Sequence, residues 1–272
     1  MRPEDWKLGI SWIWLAEGEL MSPESLKRFH EANVACVETG VLWEWRAERY
    51  DPHCERLKAV IGAFQDAGLT VWSVHVPGGL TIDISHPKYA QAGIELVGQN
   101  LSVCAEMGVD KIVLHPSFEP IADADRPDRL ACCAKSVRAL YRPDVDIAIE
   151  NLPRTCLCNE ASEAKALWEA LAGVSYACVD VNHYHRNNVV DMLRAAAGNL
   201  LTVHISDDDG RDEKHWYPGD GVLRWNDILG TLEAVGYEGC FLYELDTRYR
   251  YGDPMKVRQN FDRLVDAYRN PS

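Results

Sequence analysis

The sequence predicts a single α/β domain, a closed (β/α)8 TIM barrel over residues 1–272. Short apolar, β-branched runs alternate with stretches of helical periodicity eight times along the chain. The runs are apolar on both faces, as strands of a parallel sheet covered by helices must be. The length of 272 residues is close to the ~250 of one closed barrel. An open doubly wound sheet is the competing architecture. It is disfavoured because no G-x-G-x-x-G turn follows the first strand and eight units close most simply into a barrel.

The elements follow in order. Leu8–Leu15 reads as the first strand, and Ser22 opens the first helix as a cap with Pro23 behind it. Val34–Val37 is a second strand ending at Glu38-Thr39-Gly40, and Cys54–Ala67 a helix stopped by Gly68. Leu69–Val76 is the third strand, followed by a helix from about Pro87 to Met107 ended by Gly108. Val109–Leu114 is the fourth strand and Asp128–Tyr141 its helix. Val145–Ile149, Val174–Val181, Leu200–Ile205 and Cys240–Tyr243 complete the strands. Their helices are Ala161–Leu171, Asn188–Ala197, Trp225–Val235 and Pro254–Tyr268.

Composition bounds the function. A formal charge of −14 disfavours broad attraction to nucleic acid or an anionic membrane, so a small-molecule partner is expected. MRPEDWKLGI lacks the basic-then-apolar build of a signal peptide, and no apolar run reaches the ~18 residues of a membrane span. A cytoplasmic protein is the expectation, with reduced cysteines and with homo-oligomerisation left open. Nine cysteines include no second pair at zinc-finger spacing.

The chemistry gathers after the strands. The first polar residues at the ends of strands three to eight are His75, His115, Glu150, Asp180, His204 and Glu244, with His183 shortly after Asp180. Any one of these could be a satisfied structural residue. Six converging on one barrel mouth point to an ion, with Glu150, Asp180, His204 and Glu244 as its ligands. Three carboxylates and one imidazole suit Mn²⁺ first, with Mg²⁺, Co²⁺ or Zn²⁺ as alternatives. The loop after strand seven crowds Asp207, Asp208, Asp209, Asp212 and Glu213 together, a cluster that needs either solvent or a cation. Trp12, Trp14, Trp43, Glu44 and Trp45 make the early loops aromatic and acidic, which suits stacking on a sugar face. For Trp12, packing around the mouth is an equal alternative.

The segments VHVPGG, IVLHPS, IAIENLP, CVDVNHYH, VHISDDDG, HWYPGDGVLRW and LYELD resemble the motifs of the xylose isomerase-like barrel superfamily, which includes sugar isomerases, ketose 3-epimerases and AP-site endonucleases. The resemblance spans nearly the whole chain. It implies a divalent-metal-dependent isomerase or epimerase of a sugar or polyol, working by proton transfer through a metal-stabilised enediolate. Glu150 and Glu244 would be both metal ligands and proton carriers, joined at the metal by Asp180 and His204. His75, His115, His183, His215 and Trp43 would contact substrate. The same residues leave two alternatives open. A dehydratase or lyase would begin with the same proton abstraction. A multi-zinc endonuclease-like phosphodiesterase would recruit His75, His115, His183, Glu213 and His215 as further ligands. Glu213 stands where the endonuclease motif has Asp, which weakens the additional metal site formed with His215. A catalytically silent barrel is a third reading, disfavoured by the intact glutamate pair.

Overall fold

The computed structural model describes residues 1–12, 22–40, 50–183, 189–246 and 252–271. Trp14, Trp43, Glu44 and Trp45 lie outside them. Strands β1 (Lys7–Ser11), β2 (Cys36–Thr39), β3 (Thr70–His75), β4 (Lys111–Leu114), β5 (Asp146–Glu150), β6 (Tyr176–Asp180), β7 (Leu200–Ile205) and β8 (Cys240–Tyr243) form one closed barrel in sequence order. All pairings are parallel, and β1 closes the ring on β8 with Ile10 opposite Tyr243. The intervening helices are α1 (Pro23–Glu31), α2 (Tyr50–Asp66), α3 (Ala90–Met107), α4 (Arg126–Leu140), α5 (Ala161–Ala170), α6 (Val189–Ala195), α7 (Trp225–Ala234) and α8 (Pro254–Arg269). Among the described residues, no helix is long and apolar enough to cross a membrane.

The predicted capping of α1 is present, since the Ser22 hydroxyl accepts the Ser25 N–H at 3.1 Å. Several boundaries shift from those expected, three of them for clear local reasons. Described β1 ends at Ser11, and Trp12 packs edge-on against Phe29 at 4.7 Å, so Trp12 is a core residue rather than a mouth residue. Helix α3 starts three residues beyond Pro87, because His86–Tyr89 is taken up by a turn in which the His86 carbonyl accepts two N–H groups. Strand β6 starts at Tyr176 because the N–H groups of Val174 and Ser175 still bond to the Leu171 carbonyl at the end of α5.

Alternation along the strands separates two interiors. Ile10, Val37, Ile149, Val179, Val203 and Phe241 belong to the large apolar layer beneath the helices. Cys36, Cys240 and Leu242 pack with Trp72 inside the barrel, and Val113, Ala148 and Cys178 with Leu201. At the strands' N-terminal end, Lys111 and Lys7 sit over the Trp72 ring, 4.3 and 5.8 Å from its centre, and the indole donates to Thr202 at 3.1 Å. There Gly9 is demanded by space. A Cβ at that position would stand 2.5 Å from Cys240 Sγ and 2.8 Å from Leu242 Cδ1. Parallel register carries each alternating strand to the same face, so Glu150, Asp180, His204 and Glu244 emerge together at the C-terminal rim.

Candidate metal and active site

The four predicted ligands meet. One ligand atom each from Glu150, Asp180, His204 and Glu244 lies within 4.8 Å of every other, and all four residues are buried. His204 Nδ1 is 3.1 Å from Glu150 Oε1 and 3.1 Å from Glu244 Oε2. The latter contact is close but misaligned, and Glu244 Oε2 has no hydrogen-bond partner. Asp180 Oδ2 has none either. Its other oxygen accepts the Asn182 N–H at 2.6 Å. A buried carboxylate oxygen without a donor is costly. Two of them beside an imidazole nitrogen and a third carboxylate fit a hard divalent cation.

The charges agree with that fit. Burial alone would raise the Glu150 pKa, but the His204 charge and hydrogen bonds from His115, His183 and His204 hold it well below the usual carboxylate range. Glu244 follows the same logic: burial opposes, His204 prevails, and the carboxyl is lowered. Asp180 goes the other way, pushed up to about 7 by burial, with His183 opposing and Glu244 reinforcing. Burial would lower His204, yet Cys178, Glu38, Glu244 and Glu150 around it raise it well above an ordinary imidazole. Without an ion, protons do the neutralising.

The remaining predicted residues ring this centre. His75 Nε2 and His115 Nε2 each approach Glu150 Oε2 at 3.2 Å. His75 is pinned by Nδ1–H donation to the Val76 carbonyl at 3.0 Å. His183 Nε2 lies 3.1 Å from Glu213 Oε2 and 3.5 Å from Asp180 Oδ2. His215 Nδ1 faces the Glu244 carbonyl at 3.2 Å, leaving Nε2 for another partner. His215 holds a left-handed φ of 49°, a strained state for a side-chain-bearing residue at a functional rim. Two smaller ligand groups overlap the tetrad, His75 with Glu150 and His204, and Asp180 with His183 and His215. Glu213 contacts His183 and Arg154, the latter at 2.9 Å, and its carboxyl falls to about 2 because His183 and Arg154 outweigh burial. Trp43 lies outside the described residues.

Two residues escaped the sequence reading. Asn151 clamps β5 to β6: its amide donates to the carbonyls of Asp180 and His183 at 3.0 and 2.6 Å, and its oxygen accepts the Asp180 N–H at 2.9 Å. Glu38 is fully buried beneath His204. Its signal is the same as that of Glu150, a carboxylate ending an apolar run. The acidic loop also departs from expectation. Asp207 accepts the N–H groups of Asp208, Leu223 and Gly219 and the Trp225 indole, between 2.8 and 3.1 Å. Asp209 caps the N–H groups of Arg211 and Asp212. Asp207 is matched by N–H donors, and Asp209 by N–H donors and the Lys214 ammonium at 3.5 Å. Gly221 must be glycine, since a Cβ there would lie 2.1 Å from the Asp208 carbonyl oxygen.

The family model for the xylose isomerase-like TIM barrel matches residues 26–267. The chain belongs to that family. Fructoselysine 3-epimerase of Escherichia coli is 26% identical over 109 residues, 40% of either chain. The matches to curated relatives span between 40% and 66% of those relatives' lengths. Among solved structures, L-ribulose 3-epimerase superposes with a TM-score of 0.72 at 19% identity, covering 97% of this chain and 96% of the other. The 3-keto-D-glucoside 4-epimerase of Escherichia coli gives 0.72 at 18%, covering 96% and 100%. At such identities, these two likenesses speak for the fold.

Proposed function

We propose that this family member is a divalent-metal-dependent isomerase or epimerase of a sugar or sugar-like polyol, with Glu150 and Glu244 carrying the substrate proton. The observation that supports it best is the pair of buried glutamates, both held ionised, each 3.1 Å from His204 Nδ1 in a pocket with unmatched carboxylate oxygens. The epimerase names among the similar proteins agree with it. Glu150, Asp180, His204 and Glu244 would hold the ion, Mn²⁺ before Mg²⁺, Co²⁺ or Zn²⁺ on the character of the donors. Bound there, the ion supplies Lewis acidity toward a carbonyl and its neighbouring hydroxyl.

The chain's own residues supply the rest. An ionised glutamate can take the proton beside a carbonyl at neutral pH, and its counterpart across the pocket can relay a proton back on the opposite face. His75 and His115 brace the outer oxygen of Glu150, which fixes where its free lone pairs point. His183 and His215, edge-on to each other at 5.6 Å, would hold substrate oxygens. The test is proton exchange: the chain with added Mn²⁺, offered ketoses, aldoses, inososes and oxidised glycosides in deuterated water, should place deuterium in the product. Loss of hydroxide or an alkoxide after the same abstraction would appear as an unsaturated product and reassign the enzyme as a dehydratase or lyase.

One observation favours a second reading. Glu150 and Asp180 each belong to two overlapping ligand groups, as bridging carboxylates of a multi-zinc phosphodiesterase would. Metal stoichiometry after mild purification separates the two, about one ion against three per chain. Salt-sensitive cleavage of an abasic-site duplex, with no exchange on any polyol, would overturn the isomerase reading.

A further inference from the structure

Below the tetrad, Glu38 on β2 is fully buried, and no step of the proposed reaction uses it. Its oxygens are claimed from three strands. The Ser11 hydroxyl on β1 donates to Oε1 at 2.8 Å, the Ser73 hydroxyl on β3 to Oε2 at 2.7 Å, and His204 Nε2 on β7 stands 3.1 and 3.3 Å from the two. The opposite ring nitrogen of His204 is the one facing Glu150 and Glu244. The two serines fix the carboxylate from either side, so it can address only what lies above it.

An imidazole between a carboxylate and a cation has one favourable arrangement. The nitrogen toward the carboxylate carries hydrogen, and the other offers its lone pair. The reverse would set a bare nitrogen against a carboxylate in a water-excluded barrel, where the repulsion is poorly screened. We infer that Glu38, held by Ser11 and Ser73, is the positioning residue that keeps hydrogen on His204 Nε2 and aims Nδ1 at the ion site. This rests on the reading of Glu150, Asp180, His204 and Glu244 as metal ligands. It makes metal affinity depend on a residue that touches neither ion nor substrate.

The test uses the full chain stripped of metal and titrated with Mn²⁺ alone, in wild type, Glu38→Gln, Glu38→Leu, Ser11→Ala and Ser73→Ala. Glu38→Leu should weaken binding about 10–100-fold, the range for removing the outer partner of a ligating histidine. Glu38→Gln, which keeps a carbonyl oxygen for Nε2–H, should recover part of that loss. Nitrogen-15 spectra of the Zn²⁺-loaded chain supply a readout that general loosening would not mimic: a slowly exchanging His204 Nε2–H in wild type that exchanges faster in Glu38→Leu. Should Glu38→Leu fail to fold, the serine variants carry the test, each expected to lose several-fold in affinity. Unchanged affinity and unchanged exchange in folded variants would overturn the role of Glu38 while leaving the metal site intact. A wild-type chain that takes up no divalent ion would overturn the metal reading and this inference with it.

Discussion

Asp207 and Asp180 are both buried aspartates at the same end of the barrel, the first two residues past the end of β7 and the second at the end of β6, and they have opposite surroundings. Asp207 is saturated by four N–H donors, three of them from the loop its own chain makes up to Trp225. Asp180 keeps one oxygen without a donor and faces Glu244 and Glu150, carboxylates like itself. The saturated carboxylate is a staple that closes a loop. The unsaturated one keeps an oxygen for the proposed ion. Residue type and burial do not distinguish them; the chemistry of the nearest atoms does.

Substitutions in the two groups should therefore fail in different ways. The largest effect belongs to the open group. Glu150→Gln and Glu244→Gln should each lower turnover by at least about 10³-fold with thermal stability near wild type, since an amide keeps the shape and loses the proton. Near-wild-type turnover on an identified substrate would remove that glutamate as proton carrier. In the saturated group, Asp207→Ala leaves several buried N–H groups without acceptors, at about 1–3 kcal/mol each, so about 4 kcal/mol or more of stability should go. Urea unfolding measures it, and a loss under about 1 kcal/mol would contradict the role as staple.

A further substitution sharpens the contrast through pH. The Asp180 carboxyl sits at about 7 when folded, because burial disfavours its charge, against an ordinary unfolded value. The folded state thus holds a proton that the unfolded chain has released, and this stabilisation is lost as pH rises through about 7. In the metal-free protein, Asp180→Asn should match wild type near pH 4 and exceed it above pH 7 by on the order of 2–4 kcal/mol. Melting temperatures at the two pH values decide it, and a gain independent of pH would mean that the charge is not the cause. The smallest effect is expected at Arg154, half exposed and paired with Asp212 and Glu213. Arg154→Ala should cost no more than about 1 kcal/mol in thermal unfolding.

Much of this could be read from the chain. Apolar strands with a single polar terminus predicted both the barrel and the rim, because parallel register aligns strand ends and period-two alternation turns them inward. The same alternation sends Trp12 outward against Phe29, a consequence missed when the tryptophan was weighed as part of an aromatic loop. Glu38, inside β2 rather than beyond it, has a role set by partners on β1, β3 and β7 that lie far apart in sequence. The fate of Asp207 depends on donors at Gly219, Leu223 and Trp225, 12 to 18 residues further on, and loop closure over that distance has no periodic signature.

The crowded, glycine-dependent floor around Cys36, Cys240, Leu242 and Trp72 has a kinetic meaning. Among the described residues the barrel is packed with side chains at its base, so in the proposed reaction product would leave over the strand ends by which substrate arrives. Substrate and product would thus share one passage, and added product should compete with substrate. Initial rates with added product would reveal this as a rise in KM at constant kcat.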